Sequence, residues 1–145
     1  MVRKTRINDL EQIKILMQSI PGFWDKNWRP DVLTLAVKTA KDLSFVYEQD
    51  RRILGFVCAH DLGFRAYLSE LVVSPTIQRK GIGRILVDRV EKELQKRGCR
   101  VLIADVWQEA ESFYHKLGWS RPKVILLRKK LTCGIISHKH TTSNR

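Results

Sequence analysis

Cysteine is scarce in this sequence, and its distribution excludes two kinds of site. The 145 residues include three cysteines, Cys58, Cys99 and Cys133, which are odd in number and far apart. Such a set forms neither a disulfide framework nor a zinc-binding motif, so no metal site is expected. Long apolar runs are also lacking, since none approaches the roughly 20 residues that a membrane span needs. The basic N-terminus is not followed by the apolar core of a signal peptide. We therefore expect a reduced, cytoplasmic protein without membrane association.

Acidic residues are the next deficit. The chain has 15 Asp and Glu residues against 27 Lys and Arg residues, which gives a formal net charge of +12. This balance indicates an anionic partner, such as nucleic acid, an acidic protein or a phosphorylated cofactor, or simply a lysine-rich surface. The hydrophobic fraction of 43% is that of an ordinary globular protein and excludes a fully disordered chain. The length allows one domain with one core.

The hydrophobic pattern predicts helices and strands in irregular alternation, an α/β or α+β architecture around a mixed sheet. Capping, turn and breaker residues divide the chain between these elements. Strands are predicted at 2–7, 43–48, 53–60, 66–73, 101–106 and 123–131, and helices at 8–20, 31–41, 82–97 and 109–116. The last residues, 132–145, are polar and scattered with basic side chains, and they are predicted to form a flexible tail.

The loop between the strand at 66–73 and the helix at 82–97 is the first candidate site. Its sequence is Gln-Arg-Lys-Gly-Ile-Gly over 78–83. The first turn of a helix presents unpaired backbone N–H groups and the positive end of the helix dipole, which suit a pyrophosphate. Gly81 and Gly83 let the backbone approach phosphates closely. Positive charge is added at the rim by Arg79, Lys80 and Arg84.

Two other interpretations of this loop stay open at this point. A glycine pair after a strand is also found in ordinary strand-to-helix turns. A dinucleotide-binding loop is less suitable, because the full G-x-G-x-x-G pattern would need glycine where Leu86 stands.

Two stretches together carry a family resemblance. Residues 71–86, Leu-Val-Val-Ser-Pro-Thr-Ile-Gln-Arg-Lys-Gly-Ile-Gly-Arg-Ile-Leu, resemble the first signature of the GNAT superfamily of N-acetyltransferases. Residues 109–119, Glu-Ala-Glu-Ser-Phe-Tyr-His-Lys-Leu-Gly-Trp, resemble its second signature, in the same order and spacing. The resemblance covers 66–131, and residues 1–60 fit the family's usual opening elements without a specific motif.

The resemblance implies a fold and a donor. The fold would be a mixed, mostly antiparallel central sheet of about six to seven strands flanked by about four helices. A single acetyltransferase domain would occupy 1–131. The acyl donor would be acetyl-CoA, and the phosphates of coenzyme A would account for part of the positive charge.

The resemblance also implies which residues bind the donor. The main chain of Leu71, Val72 and Val73 would pair with the pantetheine arm like an added strand, and its N–H groups would polarise the thioester carbonyl. Many members have an asparagine shortly before the second signature. This chain has Trp107 and Gln108 there, and Gln108 is the candidate substitute. The pyrophosphate would be held by Gln78, Arg79, Lys80, Gly81, Ile82, Gly83 and Arg84.

Catalytic roles follow in the same way. Tyr114 aligns with the tyrosine that protonates the departing thiolate, although a tyrosine at this helix position could merely pack. Glu70 is the candidate base: by strand alternation it shares a face with Leu68 and Val72, where apolar surroundings would raise its pKa. A strand bulge, expected from the resemblance, would change this facing. The second choice of base is Asp105, a water chain is a third route, and His60 is a weaker candidate.

The acceptor is the least determined part. Trp24 and Trp28 lie in the loop 23–29, where the family frames its acceptor cleft, and they would line that cleft or anchor the helices to the sheet. Asp25 could attract a cationic amine. The main hypothesis is acetyl transfer from acetyl-CoA to a primary amine by direct attack in a ternary complex, by a monomer or a homodimer. The alternative is a basic nucleic-acid-binding or coenzyme A-binding regulatory module on the same fold.

Overall fold

A computed structural model describes residues 1–132, in which one mixed sheet forms the centre. Its five strands lie in the order β1-β2-β3-β4-β5. Each of the first four strands pairs antiparallel with the next, and β5 runs parallel to β4. The strands are β1 (Val2–Lys4), β2 (Ser44–Gln49), β3 (Arg52–Asp61), β4 (Ala66–Val73) and β5 (Leu102–Ile103), and the helices are α1 (Leu10–Gln18), α2 (Val32–Ala40), α3 (Ile82–Lys96) and α4 (Glu111–Lys116).

The helices cover both faces of the sheet, because alternate residues of the central strands are apolar on each side. On one face α3 packs with its buried stripe, which includes Leu86, Val87 and Val90, against residues such as Val57 of β3. On the other face α1 and α2 cover Phe56 and its neighbours. The α/β class with a mixed, mostly antiparallel sheet and about four helices is thus confirmed.

A bulge interrupts β4 near the middle. Cys58 of β3 pairs with Glu70, whereas the next residue, Ala59, pairs with Leu68. Ser69 is therefore the extra residue, and side-chain alternation reverses there. Leu68 points into the core beneath α3, while Glu70 faces the α1 and α2 side together with its partner Cys58. The prediction that Glu70 shares a face with Val72 is correct. The prediction that it also shares a face with Leu68 is wrong, because the bulge lies between Leu68 and Glu70.

The sheet has five strands rather than the six to seven expected, and the last of them is short. The predicted strand at 101–106 is reduced to Leu102–Ile103, because β4 and β5 pair only at Ala66 with Leu102 and at Tyr67 with Ile103 before they diverge. The predicted strand at 123–131 is wrong, since this segment has no regular structure. A strand needs a neighbouring backbone to bond, and a two-residue β5 offers a very short edge.

Beyond Thr132, the predicted tail at 132–145 lies outside the described residues. Within residues 1–132, no helix combines the length and the apolar character required to cross a membrane.

Candidate active site

The divergence of β4 and β5 opens a cavity of about 620 Å³. Three parts of the chain form most of its wall: the α1–α2 loop, the strand β4, and the segment from Asp105 to Ala110 that leads into α4. Gln78 and Arg128 complete the described wall. Parallel strands that separate leave backbone groups and side chains of both strands facing one gap. The cavity thus lies where β4 presents both the bulge and the residues next to the 78–83 loop.

Glu70 lies on the wall of this cavity, half-buried, and its pKa is raised to about 7. Burial is the main cause, because it disfavours the charged carboxylate. The nearby negative charge of Asp105 adds to the effect. A carboxyl group with a pKa near neutrality is matched to accepting a proton at physiological pH. The bulge is what turns Glu70 from the α3 core toward the cavity.

Asp105, the second candidate base, forms a hydrogen bond with Tyr67, a contact that the sequence did not predict. The hydroxyl of Tyr67 donates a hydrogen bond to the Asp105 carboxylate across the gap between β4 and the end of β5. Burial and this carboxylate raise the pKa of Tyr67 well above its usual value, so the phenol stays neutral. Tyr67 could not be found from the sequence, because its role depends on a pairing between residues 38 positions apart.

Tyr114 is half-buried within α4, with its pKa raised to about 12. Burial is the largest cause, followed by the negative charges of Asp105 and Glu70. Its ring makes edge-to-face contacts with Phe113, at 5.1 Å, and with Trp119, at 5.2 Å. The phenol therefore keeps its proton at neutral pH and is able to donate it, while the ring also packs, as the alternative interpretation required.

Tyr114 and Gln108 do not line the large cavity. They face a second cavity of about 290 Å³ on the other side of Val106, which contributes to the walls of both. Ala110 from the turn between these residues does line the large cavity. The structure therefore brings Glu70, Asp105 and the β4 residues together and places Tyr114 and Gln108 beside them.

The loop from Gln78 to Arg84 has the geometry of an anion site at a helix start. Two of its residues adopt the left-handed conformation, Arg79 with φ of 70° and Gly81 with φ of 76°. Helix α3 begins directly afterwards, so the N–H groups of Ile82 and Gly83 have no acceptor within the helix. The Gln78 amide donates to the carbonyl of Val73 at 3.1 Å and ties the loop to the end of β4.

Gly83 also has a packing role that the sequence did not predict. Its backbone is helical, and a Cβ atom added there would lie 3.1 Å from the Phe113 ring. Glycine at this position therefore lets α3 approach α4 closely. At Gly81, by contrast, the left-handed backbone with φ of 76° is what favours glycine. Ile82 is buried in the core beside it, so only its backbone is available to a ligand.

The remaining candidates divide between wall and core. Trp28 and Asp25 line the large cavity, whereas Trp24 packs against the ring of Trp28 at 5.2 Å and does not line it. Phe23 meets Trp107 edge-on at 5.6 Å and closes one side of the cavity. His60 lies outside the cavity; its Nε2 atom is 3.1 Å from Ser69 Oγ, and burial lowers its pKa.

The groups in and beside the large cavity allow three chemical steps. The carboxyl of Glu70 can accept a proton, the phenol of Tyr114 can donate one, and the N–H groups at the start of α3 can bind phosphate oxygens. Leu71, Val72 and Val73 of β4 line the large cavity next to Glu70. An anionic, phosphorylated molecule with a reactive end would fit along β4 with its phosphates at α3.

Solved structures of several proteins share this fold. A transcriptional regulator from Bacillus halodurans C-125 superimposes with a TM-score of 0.74 at 19% identity, over 90% of this chain and 99% of that one. The PaiA N-acetyltransferase from Thermoplasma acidophilum, in complex with coenzyme A, gives 0.69 at 22% identity over 86% and 92%. The ribosomal-protein-S18-alanine N-acetyltransferase from Escherichia coli gives 0.67 at 26% identity over 81% and 76%.

The sequence itself matches a family over most of its length. Residues 10–119 match the acetyltransferase (GNAT) family. This range contains β2, β3, β4 and the whole of the 78–83 loop, and it ends at Trp119, just after α4. The resemblance of the two signatures is thereby confirmed: the chain belongs to the GNAT family of acetyltransferases, and it is an acyltransferase that uses acetyl-CoA as its donor.

Proposed function

We propose that this enzyme transfers the acetyl group of acetyl-CoA to a primary amine by direct attack within a ternary complex. The observation that carries the proposal is Glu70, a half-buried carboxyl with a pKa of about 7 that faces the cavity. An amine is protonated at neutral pH and must lose a proton before it attacks a thioester. Glu70 is the base; burial raises its pKa, and the charge of Asp105 adds to this effect.

The donor lies along β4. The main chain of Leu71, Val72 and Val73 pairs with the pantetheine arm, and backbone N–H groups there polarise the thioester carbonyl. The pyrophosphate is held by the loop from Gln78 to Arg84, where Gly81 takes up the left-handed conformation and the first N–H groups of α3 are free. Coenzyme A bound to the similar Thermoplasma protein supports this donor. Gln108 contacts the donor from the α4 side.

The transfer balances as follows. The ammonium nitrogen first loses a proton to Glu70. The resulting amine forms a bond to the acetyl carbon, the carbon–sulfur bond breaks, and the nitrogen loses its second proton to solvent. The electron pair goes to sulfur, which takes the proton of the Tyr114 phenol. The products are the acetamide and free coenzyme A thiol, and the proton on Glu70 passes to solvent while Tyr114 regains one.

Direct attack is favoured over a covalent acyl-enzyme, because no suitable cysteine faces the cavity among residues 1–132. Cys58 is buried beneath the α1 and α2 side of the sheet, and burial raises the pKa of its thiol to about 12. Such a thiol is not ionised at neutral pH and is a poor nucleophile. Cys99 lies beyond the end of α3 and lines neither cavity.

Two measurements test the proposal. Calorimetric titration with acetyl-CoA should give saturable binding, and an amine panel should release free thiol in its presence. Tyr114→Phe keeps the ring contacts with Phe113 and Trp119, so it should bind acetyl-CoA normally and lower kcat by about 100-fold. Absence of binding would reject the donor, and equal turnover of both proteins would remove Tyr114 as the acid.

Nucleic-acid binding is the second candidate, favoured only by the net charge of +12. It predicts steeply salt-dependent binding to DNA or RNA that coenzyme A leaves unchanged. The cytoplasmic location, the choice between monomer and homodimer, and the division into a domain over 1–131 and a tail stay predictions from the sequence.

A further inference from the structure

The charge of the large cavity is opposite to that of the chain. Lys and Arg outnumber Asp and Glu by 27 to 15 in the sequence. Among residues 1–132, the cavity wall instead carries three carboxyl groups, on Asp25, Glu70 and Asp105, and one basic side chain, Arg128. Negative groups therefore outnumber positive ones here whether Glu70 is ionised or protonated. Such a wall lowers the electrostatic energy of a cation inside the cavity and raises that of an anion.

The carboxylates on this wall are available to a ligand. Among residues 1–132, none of the three forms an ion pair. The Asp25 carboxylate accepts the N–H of Asn27 at 2.8 Å, which fixes its position within the α1–α2 loop. The Asp105 carboxylate accepts a hydrogen bond from the neutral phenol of Tyr67, which brings no opposing charge to it.

Aromatic rings lie beside these carboxylates and give an independent reason to expect an ammonium group. Phe23, Trp28 and Trp107 line the same cavity, and the faces of such rings attract cations. The α1–α2 loop already shows this contact once, outside the cavity: the ammonium of Lys14 lies 5.5 Å from the ring centre of Trp24. The cavity therefore combines anionic and aromatic partners, which is the pairing that binds organic ammonium ions.

We propose, building on the proposed function, that the acceptor is a multiply charged amine with a second ammonium group besides the one acetylated. The reacting amine lies at Glu70, next to the thioester on β4. The second ammonium group is bound by Asp25 and by the ring of Trp28. Asp25 is thus a specificity-determining residue.

The test compares matched acceptors. The value of kcat/KM for thiol release is measured with 1,5-diaminopentane and with 5-aminopentan-1-ol, which replaces the second ammonium by a hydroxyl of similar size. The diamine should be preferred, and Asp25→Asn should lower the ratio of the two kcat/KM values about fivefold, the effect of one partly solvated charge pair. Asp31→Asn is the control, because Asp31 is exposed near the same loop and does not line the cavity. It should leave the ratio unchanged.

Further measurements distinguish linear from cyclic polyamine acceptors, and they distinguish failure of this inference from failure of the proposed acetyl transfer. Spermidine and kanamycin present the same chemistry on a linear and on a cyclic frame, and the better substrate identifies the frame. Equal kcat/KM for diamine and amino alcohol, or a ratio unaffected by Asp25→Asn, would overturn the inference and leave acetyl transfer intact. If no amine releases thiol, calorimetric titration with 1,5-diaminopentane decides. Binding weakened by Asp25→Asn would support the inference while acetyl transfer fails, and absence of binding would overturn it.

Discussion

Glu70 and Asp105 are carboxyl groups of the same cavity with different surroundings. Glu70 is half-buried on a strand, whereas Asp105 is exposed in the segment after β5 and accepts a hydrogen bond from Tyr67. The more buried group has the raised pKa, and the charge of the other adds to it. Asp105 therefore acts on Glu70 through its charge, within the same cavity.

The pH dependence of kcat follows from this pair. With Glu70 as the base, kcat should rise with pH and level off above about pH 7, since the ionised form is the active one. Asp105→Asn removes the neighbouring charge and still accepts from Tyr67, so the inflection should move to lower pH. Tyr67→Phe is the matched control, because it removes the hydrogen bond but leaves the charge of Asp105. An inflection that Asp105→Asn leaves in place would exclude this charge coupling.

The same group predicts how stability changes with pH. The pKa of Glu70 is raised from 4.5 to about 7 on folding, so the folded state holds a proton that the unfolded state releases between these values. Glu70 therefore lowers stability as pH rises through this window, and the full cost is felt above it. Glu70→Gln should raise the free energy of unfolding by about 1 to 3 kcal/mol at about pH 8 and change it little below about pH 4.

Urea denaturation at both pH values measures this difference, and Asp31→Asn serves as an exposed control. Loss of activity combined with a gain in stability would identify Glu70 as a residue kept for function. A stability change independent of pH would show that the ionisation of Glu70 is not its cause.

At the scale of elements, the junction of α3 and α4 separates two effects of glycine. Helix propensity alone predicts that Gly83→Ala stabilises α3 by up to about 1 kcal/mol. Contact predicts the opposite, because the new Cβ atom would lie 3.1 Å from Phe113 and the ring is held against Tyr114. We expect contact to prevail, with a net loss of about 1 to 2 kcal/mol measured by denaturant unfolding.

Phe113→Leu provides the control for this change. In that background the ring edge is gone, so Gly83→Ala should cost less than in the parent protein or become stabilising. Equal costs in both backgrounds would mean that the ring of Phe113 is not the constraint.

The elements that the sequence predicted well are those with a local cause. The α3 stripe, the 78–83 loop and the start of α4 depend on residues within one or two turns of each other, so their pattern is visible in the sequence. The facing of Glu70 depends instead on a bulge whose position is set by pairing with β3. Alternation alone placed Leu68 on the wrong side, and the contact of Tyr67 with Asp105 was not foreseen, since both depend on long-range pairing.

The segment 123–131 was predicted to be a strand from local composition, and this prediction failed. Its composition suits a strand, and Val124, Ile125 and Leu127 are indeed apolar, yet they are 74%, 80% and 83% exposed. Strand propensity describes a fit to a pleated, half-buried surface, so a segment without a partner strand does not express it. The strand predicted at this position was therefore wrong for a reason that lies in β5, which has only two paired residues.

For the whole molecule, the net charge of +12 is divided unequally between the proposed binding regions. The cavity wall is acidic, whereas the loop at α3 carries Arg79, Lys80 and Arg84, all exposed. A cationic acceptor and an anionic donor would thus each meet a surface of opposite charge. Two explanations of donor affinity follow: the charge of the whole protein, or the few charges of the loop.

Charge substitutions of equal size distinguish these explanations. Lys80→Gln and Lys92→Gln each remove one exposed lysine, the first in the loop and the second on the outer part of α3. Because salt screens charges beyond about 10 Å, only the nearby lysine should act on a bound phosphate. We therefore expect Lys80→Gln to raise the calorimetric Kd for acetyl-CoA about threefold at low salt and less at high salt, and Lys92→Gln to leave it unchanged. Equal effects of both changes would show that the overall charge determines donor affinity. The loop would then not be the pyrophosphate-binding site.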